Sequence, residues 1–215
     1  MRRVEIVNSQ PLLQYDVAYP ERLSRGLIFI KWLLAIPHLF VLQFLVAAMS
    51  ITTFIAIFGI LFTGNYPRGL WDFGLMVLRW QARVSAYTML QRDEYPPFGD
   101  DDYPVLFHLD YPASLSRWKI FFKWLLVFPH LIVLSILSIA VGFALFITWF
   151  AILFTGRFPR GMFDFLNGFS RWAHRVNTYI NLFTDAYPPF SMGEPPASAS
   201  LIGGYQQLQS PPANW

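Results

Sequence analysis

Two long apolar runs constrain this chain more than any other feature of its sequence. The first extends from Leu27 to Phe62 and the second from Ile120 to Phe154, and each contains one lysine and one Pro-His pair. A membrane-spanning helix needs about 20 apolar residues, so each run is too long for one simple crossing. Only 13% of the chain is charged, whereas soluble domains average about 25%. The sequence therefore predicts an integral membrane protein.

The two runs belong to two copies of one unit. Residues 19–39, "YPERLSRGLIFIKWLLAIPHL", align without a gap with residues 111–131, "YPASLSRWKIFFKWLLVFPHL". The stretch "LFTGNYPRG" recurs as "LFTGRFPRG", and both copies close with "YPPF". Such self-similarity indicates a tandem duplication in which each copy folds as the same unit. We assign 1–98 to the first repeat with an N-terminal strand segment, 99–110 to a linker or strand, 111–190 to the second repeat and 191–215 to a tail rich in Pro, Ser, Gly and Gln.

The length of each apolar run leaves two arrangements open. In one, residues 21–36 form an interfacial helix that ends at Pro37, and residues 38–62 cross the membrane once. In the other, residues 26–45 and 48–63 form a helical hairpin that turns near "AAMS", or near "SIAVG" in the second copy. Basic residues flank both ends of each run, and a single crossing would place them on both sides of the membrane. The predicted arrangement is therefore a hairpin in each copy, with four membrane-embedded helices, both termini in the cytoplasm and a shallow re-entrant wedge as a variant.

A glycine and a proline follow each apolar run and predict where one helix ends and the next begins. Gly64 and Gly156 suit the left-handed position after a helix, and Pro67 and Pro159 suit the first turn of the following one. That following helix carries charges that are too costly to expose to lipid, so we expect it to lie along the headgroup layer. The predicted ranges of these amphipathic helices are 67–91 and 159–183.

Short alternating stretches within residues 4–18 and 103–110 are bounded by prolines and precede the two apolar runs. Alternation of this kind predicts short strands, which could pair across the repeat. The predicted fold class is an all-α integral membrane protein made by tandem duplication. Each copy has a short β-strand segment, a membrane hairpin and an interfacial amphipathic helix.

The amphipathic helix of each copy carries the charged candidate residues. Arg68, Asp72, Arg79 and Arg83 follow one another at spacings of 4, 7 and 4 residues, which places them on one helical face. We expect this face to bind lipid headgroups or to form an ion-pair network, and a proton or anion relay is the alternative. The equivalent residues of the second copy are Arg160, Asp164, Arg171 and Arg175.

Two histidines and two lysines lie in the apolar runs and have competing interpretations. His38 and His130 follow the prolines and would be axial ligands of a haem or chlorophyll in one interpretation. In the other they support a proline-containing helix. Lys31 and Lys123 would bind lipid phosphate or extend toward the interface without a ligand. No other motif supports a cofactor, so none is expected.

The motifs together resemble those of a known bacterial membrane family. They are "KWLLAIPHL", "LFTGNYPRG", "RWQARV" and "YPPF", with their second-copy counterparts "KWLLVFPHL", "LFTGRFPRG", "RWAHRV" and "YPPF". The joint pattern, over roughly residues 11–192, resembles a domain of unknown function designated family 4389. The resemblance implies an integral membrane protein, often with a duplicated unit, and no catalytic residues.

The residue inventory favours a protein that is not an enzyme. The chain has no cysteine and four histidines, and no nucleophile, metal or phosphate-loop motif is present. A net charge of +3 without a basic run argues against nucleic acid. We expect a non-catalytic accessory or scaffold subunit of a membrane complex, in the inner membrane of a bacterium and in contact with other subunits. The alternative is a small transporter, channel or lipid-handling protein with a pathway between the repeats.

Overall fold

The computed structural model describes residues 13–99 and 101–193, and the order of its elements repeats once along the chain. Each half contains a short strand, a long apolar helix and a shorter helix. The predicted tail lies outside the described residues from position 194 onward. The elements are β1 (Gln14–Val17), α1 (Leu27–Thr63), α2 (Arg68–Thr88), β2 (Val105–His108), α3 (Lys119–Thr155) and α4 (Arg160–Ile180).

Each apolar run forms one continuous helix, so the predicted hairpins are wrong. α1 and α3 contain 37 residues each, which corresponds to a length of about 55 Å. The predicted turns lack strong turn residues, and nothing in those stretches interrupts the helical hydrogen bonds. The alternative in which a helix ends at Pro37 is also wrong, because Pro37 lies inside α1 and Pro129 inside α3. The described residues thus contain two long apolar helices instead of four.

A tyrosine beside each internal proline stabilises the helix there. Proline removes one backbone donor, so the carbonyl four residues earlier, Leu33 in α1 and Leu125 in α3, loses its helical partner. The tyrosines bind the next carbonyl along each helix. The Tyr95 hydroxyl donates to the Leu34 carbonyl at 3.3 Å, and the Tyr187 hydroxyl donates to the Leu126 carbonyl at 3.1 Å. Both tyrosines come from the "YPPF" segments, which therefore hold the chain against the long helices. These segments do not end the shorter helices, because α2 ends at Thr88 and α4 at Ile180, seven residues before each tyrosine.

The shorter helices fold back along the longer ones. The caps Gly64 and Gly156 have φ values of 78° and 70°, as predicted for the left-handed position. α2 then runs antiparallel to α1. Pro67, directly before α2, lies beside Gly59, while Trp80 lies beside His38 and Tyr87 lies beside Lys31. α4 folds back along α3 in the same way, so the two helices of each pair lie alongside each other with opposite chain directions.

The repeated glycine turn is the place where each copy receives the leading segment of the other. The Leu23 amide donates to the Gly156 carbonyl at 2.9 Å, and the Leu115 amide donates to the Gly64 carbonyl at 2.8 Å. The hydroxyls of Tyr19 and Tyr111 donate to carbonyls in the opposite turn in the same reciprocal way. The start of each long helix therefore lies at the end of the other, and α1 and α3 are antiparallel.

The two strands form one antiparallel ribbon, which confirms the predicted pairing across the repeat. Gln14 pairs with His108, and the register continues to Val17 opposite Val105. β1 packs on α4 and β2 packs on α2. The ribbon therefore joins the strand segment of each copy to the shorter helix of the other.

The long helices expose most of their apolar surface. Each is long and apolar enough to cross a membrane, and only 22% and 11% of their most apolar windows is buried inside the molecule. A core helix of a soluble protein would be mostly buried, so this exposure supports membrane association. The buried stripe of α1 recurs at helical spacing and faces α2.

A glycine in α2 permits close contact between the repeats and generates a prediction. A Cβ added at Gly74 would lie 2.5 Å from Cζ of Phe183, a fully buried ring packed on Tyr66 and Trp71. We expect Gly74→Ala to lower the free energy of unfolding by about 1–3 kcal/mol, because the ring has no room to move. Gly69→Ala is the matched control in the same helix. It meets no atom within 4 Å and should be neutral or stabilising in denaturant or thermal melts. Equal loss in both variants would contradict the packing argument.

Candidate functional site

A buried lysine near the start of each long helix forms an enclosed ionic contact within its repeat. The Lys31 side chain is 1% exposed, and its Nζ lies 2.7 Å from Oδ1 of Asp93. The same Nζ donates to the Arg92 carbonyl at 2.6 Å and lies 5.2 Å from the centre of the Tyr87 ring. Lys31 is therefore held by an ion pair, a carbonyl and a cation–π contact, which argues against a free lysine that reaches toward the interface.

The second repeat reproduces this contact in a more buried form. Lys123 Nζ lies 2.8 Å from Oδ1 of Asp185, whose side chain is 3% exposed, compared with 24% for Asp93. Each aspartate also accepts a backbone amide from the segment before its long helix, from Ser24 or Ser116, at 2.5 Å. The carboxylates thus join the start of each long helix to the segment that follows the shorter helix.

Neither aspartate was predicted from the sequence, although the repeat contains a signal for them. Asp93 and Asp185 occupy the same position in the two copies, two residues before "YPPF". A carboxylate that recurs in both copies, with a lysine that also recurs, indicates an ion pair. The pairing itself depends on the way α2 folds back along α1, which residue spacing does not show.

The two predicted histidines lie in matching aromatic boxes. His38 and His130 are completely buried. Nδ1 of His38 accepts a hydrogen bond from Nε1 of Trp80 at 3.1 Å, and Nδ1 of His130 accepts one from Trp172 at the same distance. The imidazole rings stack on Phe98 and Phe190, with centroids 4.1 Å and 3.8 Å apart.

The direction of these hydrogen bonds bears on the cofactor hypothesis. The indole nitrogen is only a donor, so Nδ1 of each neutral imidazole must be the acceptor and Nε2 carries the proton. A metal at Nε2 would require the other tautomer and loss of the tryptophan hydrogen bond. The geometry favours a structural role for His38 and His130, in which they lock the shorter helix and the "YPPF" segment onto the long helix. Ligation of a haem or chlorophyll by these residues stays an untested prediction.

The predicted charged face of the shorter helices divides into two parts. Arg68 pairs with Asp72 at 3.1 Å on the surface, and Arg160 pairs with Asp164 at 3.6 Å. Such exposed pairs contribute little stability. Each of the other four arginines donates to a backbone carbonyl of a strand or of a segment after a shorter helix. These contacts are Arg79 to Phe107 at 3.3 Å, Arg83 to Gly99 at 2.5 Å, Arg171 to Tyr15 at 2.9 Å and Arg175 to Gly193 at 3.0 Å.

A buried polar cluster joins β1 to α4. Oδ1 of Asp16 accepts hydrogen bonds from Asn167 at 2.6 Å and from Arg171 at 3.3 Å. The equivalent position in β2, 92 residues later, is His108, so the other strand has no such carboxylate. The cluster therefore supports an ion-pair role for Arg171, as one of the two predicted interpretations held.

Two side chains beside this cluster are kept neutral by burial. Burial lowers the pKa of His174 to about 4, and burial raises the pKa of Tyr15 above its usual value, with smaller opposing contributions from Ser170 and Arg171. Their rings are in contact, with centroids 4.8 Å apart. At neutral pH this contact is therefore a pair of uncharged aromatic rings. Its contribution to the cluster is packing.

The difference in burial between the two aspartates generates a prediction. Asp185→Asn leaves the Lys123 cation buried without a countercharge, so we expect a loss of about 3–5 kcal/mol in the free energy of unfolding. Asp93→Asn should lower the free energy of unfolding by less, because Asp93 is partly exposed and water near this position can solvate the Lys31 cation.

The measurement is thermal or denaturant unfolding of both variants in detergent. Adding Lys123→Met to Asp185→Asn should restore much of the loss, because the uncompensated charge is then removed. An equal loss for Asp93→Asn and Asp185→Asn, or no recovery in the double variant, would contradict the argument.

Comparison with known families places the chain. Residues 25–99 and residues 117–192 each match the family model described as "Domain of unknown function (DUF4389)". No curated protein and no solved structure matches the chain. The matched segments begin just before the long helices and end at or just after the "YPPF" segments, so they contain the buried lysine–aspartate pair and the histidine box of each repeat. The chain belongs to this family of unknown function, and it carries the family's domain twice.

Proposed function

We propose that this protein is a non-catalytic scaffold subunit of a membrane complex, held in one leaflet of the bilayer by α1 and α3. The separation of apolar and charged surface between two layers of helices carries this proposal. It keeps the scaffold role expected from the sequence, and it replaces the four membrane-embedded helices by two that lie in the membrane plane. The expectations of a bacterial inner membrane, of cytoplasmic termini and of no enzymatic activity stay part of the proposal.

The separation of the two surfaces is sharp among the described residues. The large exposed apolar side chains lie on α1, on α3 and in segments that flank a helix, and none lies on α2, α4 or the ribbon. The long helices carry three charged residues in all, and two of these, Lys31 and Lys123, are the buried, ion-paired lysines. One layer thus suits hydrocarbon and the other suits water.

The antiparallel pairing of α1 and α2 favours an orientation along the membrane. The two helices lie alongside each other, so α2 would also cross the bilayer if α1 did. Asp72 and Arg79 are seven residues apart in α2, which is about 10 Å along the helix. A hydrocarbon core of about 30 Å could not fit between these charges. With α1 in the membrane plane, all the charges of α2 lie on the water side.

The dimensions of the apolar layer fit a single leaflet. A helix with its side chains is about 10–12 Å thick, and half of the hydrocarbon core is about 15 Å. α1 and α3 therefore fit within one leaflet, while α2 and α4 lie above them at the level of the headgroups. This arrangement differs from the re-entrant wedge predicted as a variant of the hairpin, because α1 and α3 do not turn inside the apolar runs.

Small and weakly polar residues at the middle of the long helices support a partner in the membrane. Gln43, Ala47 and Ser50 are exposed on α1 at spacings of 4 and 3 residues. Ser135 and Gly142 are exposed on α3, where the Ser135 hydroxyl bonds to its own helix. Small residues let membrane helices approach closely, and a glutamine amide gains from a partner in hydrocarbon. We therefore expect another membrane helix to pack there.

The transporter alternative has less support. It requires the acidic residues of the two copies to line one pathway between the repeats. Asp72 and Asp164 are instead more than half exposed, and each is paired with an arginine of its own helix. Arg68 and Arg160 also stack on Tyr111 and Tyr19 of the leading segments, which explains their position without a transported ion.

Cysteine labelling distinguishes the two orientations, because the natural chain has no cysteine. Gly26→Cys and Asn65→Cys place a thiol at each end of α1, at exposed positions. In sealed vesicles of one orientation, a membrane-impermeant maleimide should label both from the same side. Labelling from opposite sides would contradict the in-plane arrangement and favour a single crossing.

The scaffold role is tested at Gly142, where an added Cβ meets no atom of the described chain within 4 Å. Gly142→Leu should leave the isolated protein folded and should shift the native complex to a smaller size on native gels, because a bulky side chain blocks close helix contact. Phe143→Leu, an apolar change at the adjacent exposed position, is the matched control. An unchanged complex in Gly142→Leu would contradict a partner at this face.

A further inference from the structure

We propose that Arg22, Arg25 and Arg157 form a binding site for a phosphate group, and that the phosphate belongs to the headgroup of an anionic phospholipid. The inference rests on the proposed membrane anchoring and adds the chemical class of lipid that the protein selects. The site lies where the segment before α1 meets the end of α3.

The three arginines line one cavity of about 450 Å³, with Leu23, Thr155 and Gly156 as the remaining lining residues. The backbone hydrogen bond from Leu23 to Gly156 joins the two sides of the cavity. A Cβ at Gly156 would lie 3.5 Å from Nε of Arg25, so this guanidinium packs directly over the turn. The arginines therefore come from two distant parts of the chain and are brought together by the exchange between repeats.

The cluster lacks a countercharge in the part of the chain that the structure describes. In residues 13–99 and 101–193, no hydrogen bond or ion pair is found for the side chains of Arg22, Arg25 or Arg157. Asp93, which accepts the amide of nearby Ser24, is already paired with Lys31. Three guanidinium groups around one cavity repel each other unless an anion lies between them. Arginine matches a phosphate particularly well, because its planar fork donates two parallel hydrogen bonds.

The other repeat shows that the fold does not need this cluster. The positions equivalent to Arg22 and Arg157 are Ser114 and Asn65, and only Arg117 is retained. The same backbone hydrogen bond, from Leu115 to Gly64, is nevertheless present there at 2.8 Å. A lone arginine beside the end of a helix interacts favourably with its dipole, and Arg117 and Arg25 share that role. Arg22 and Arg157 are therefore not needed for the fold of this turn, and a bound anion would explain their presence.

The position of the cavity selects a lipid as the source of the phosphate. Phe154, in the last turn of α3, is 71% exposed, and Phe29, in the first turn of α1, is 58% exposed. The three arginines thus lie at the edge of the exposed apolar surface. With α1 and α3 in the leaflet, this is the level of the lipid phosphates, and anionic headgroups are attracted to basic residues there.

The test uses the full chain in nanodiscs that contain phosphatidylglycerol and phosphatidylcholine in equal amounts. The variant Arg22→Ser with Arg157→Asn places the residues of the other repeat at this site, so it should fold with an unchanged melting temperature. Native mass spectrometry should show phosphatidylglycerol enriched on the natural protein and bound about tenfold more weakly by the variant. Arg117→Gln with Lys119→Gln removes the same charge from exposed positions just before and at the start of α3, beside the turn of the other repeat, and should keep the enrichment.

Two results would overturn the inference. One is equal retention of phosphatidylglycerol by the natural protein and the Arg22→Ser, Arg157→Asn variant. The other is binding of inorganic phosphate to the natural protein in neutral detergent without any preference for phosphatidylglycerol, which would assign the site to a free phosphate. Flotation with phosphatidylcholine vesicles distinguishes failure of the phosphate site from failure of the proposed membrane anchoring. If the natural protein does not float, the anchoring fails, and if it floats without lipid selectivity, only the phosphate site fails.

Discussion

The buried ion pair between a lysine of each long helix and an aspartate beyond each shorter helix supports the rest of the structure. It fixes the start of α1 to the segment after α2, so the whole of α2 must run back along α1. The histidine box adds a second contact about two turns further on. Because a buried charge is stable only with its partner, this pairing strongly disfavours other positions of α2.

Duplication makes the same contacts serve twice and also joins the copies. Each copy receives the strand and the leading segment of the other, so neither half has a complete set of contacts by itself. Reciprocal exchange of this kind requires the turn "TGxYP" or "TGxFP" in both copies, which explains why that stretch is repeated almost unchanged. Positions that contribute nothing to the exchange are free to differ, and the two additional arginines beside Gly156 are such positions.

The errors of the sequence analysis have a common physical origin. The hairpin was predicted because basic residues flank both ends of each apolar run, and counting them along the chain suggested one side of the membrane. The structure brings Arg79 and Arg83 back along α1 by folding α2, without a turn inside the apolar run. The strands were predicted correctly because alternation is a local property, and their pairing followed from the duplication.

Local pattern and repetition were sufficient for the apolar runs, the glycine caps, the helices that follow the caps and the strand ribbon, since each depends on neighbouring residues or on the offset between copies. They did not show that each apolar run is one continuous helix. Contacts between distant residues required the folded chain. The lysine–aspartate pairs, the tryptophan hydrogen bond to each histidine and the arginine cavity join positions that are tens to more than a hundred residues apart. Their geometry depends on the direction in which α2 and α4 return along the long helices, and that direction is set by packing and by burial of charge, which spacing along a chain does not encode.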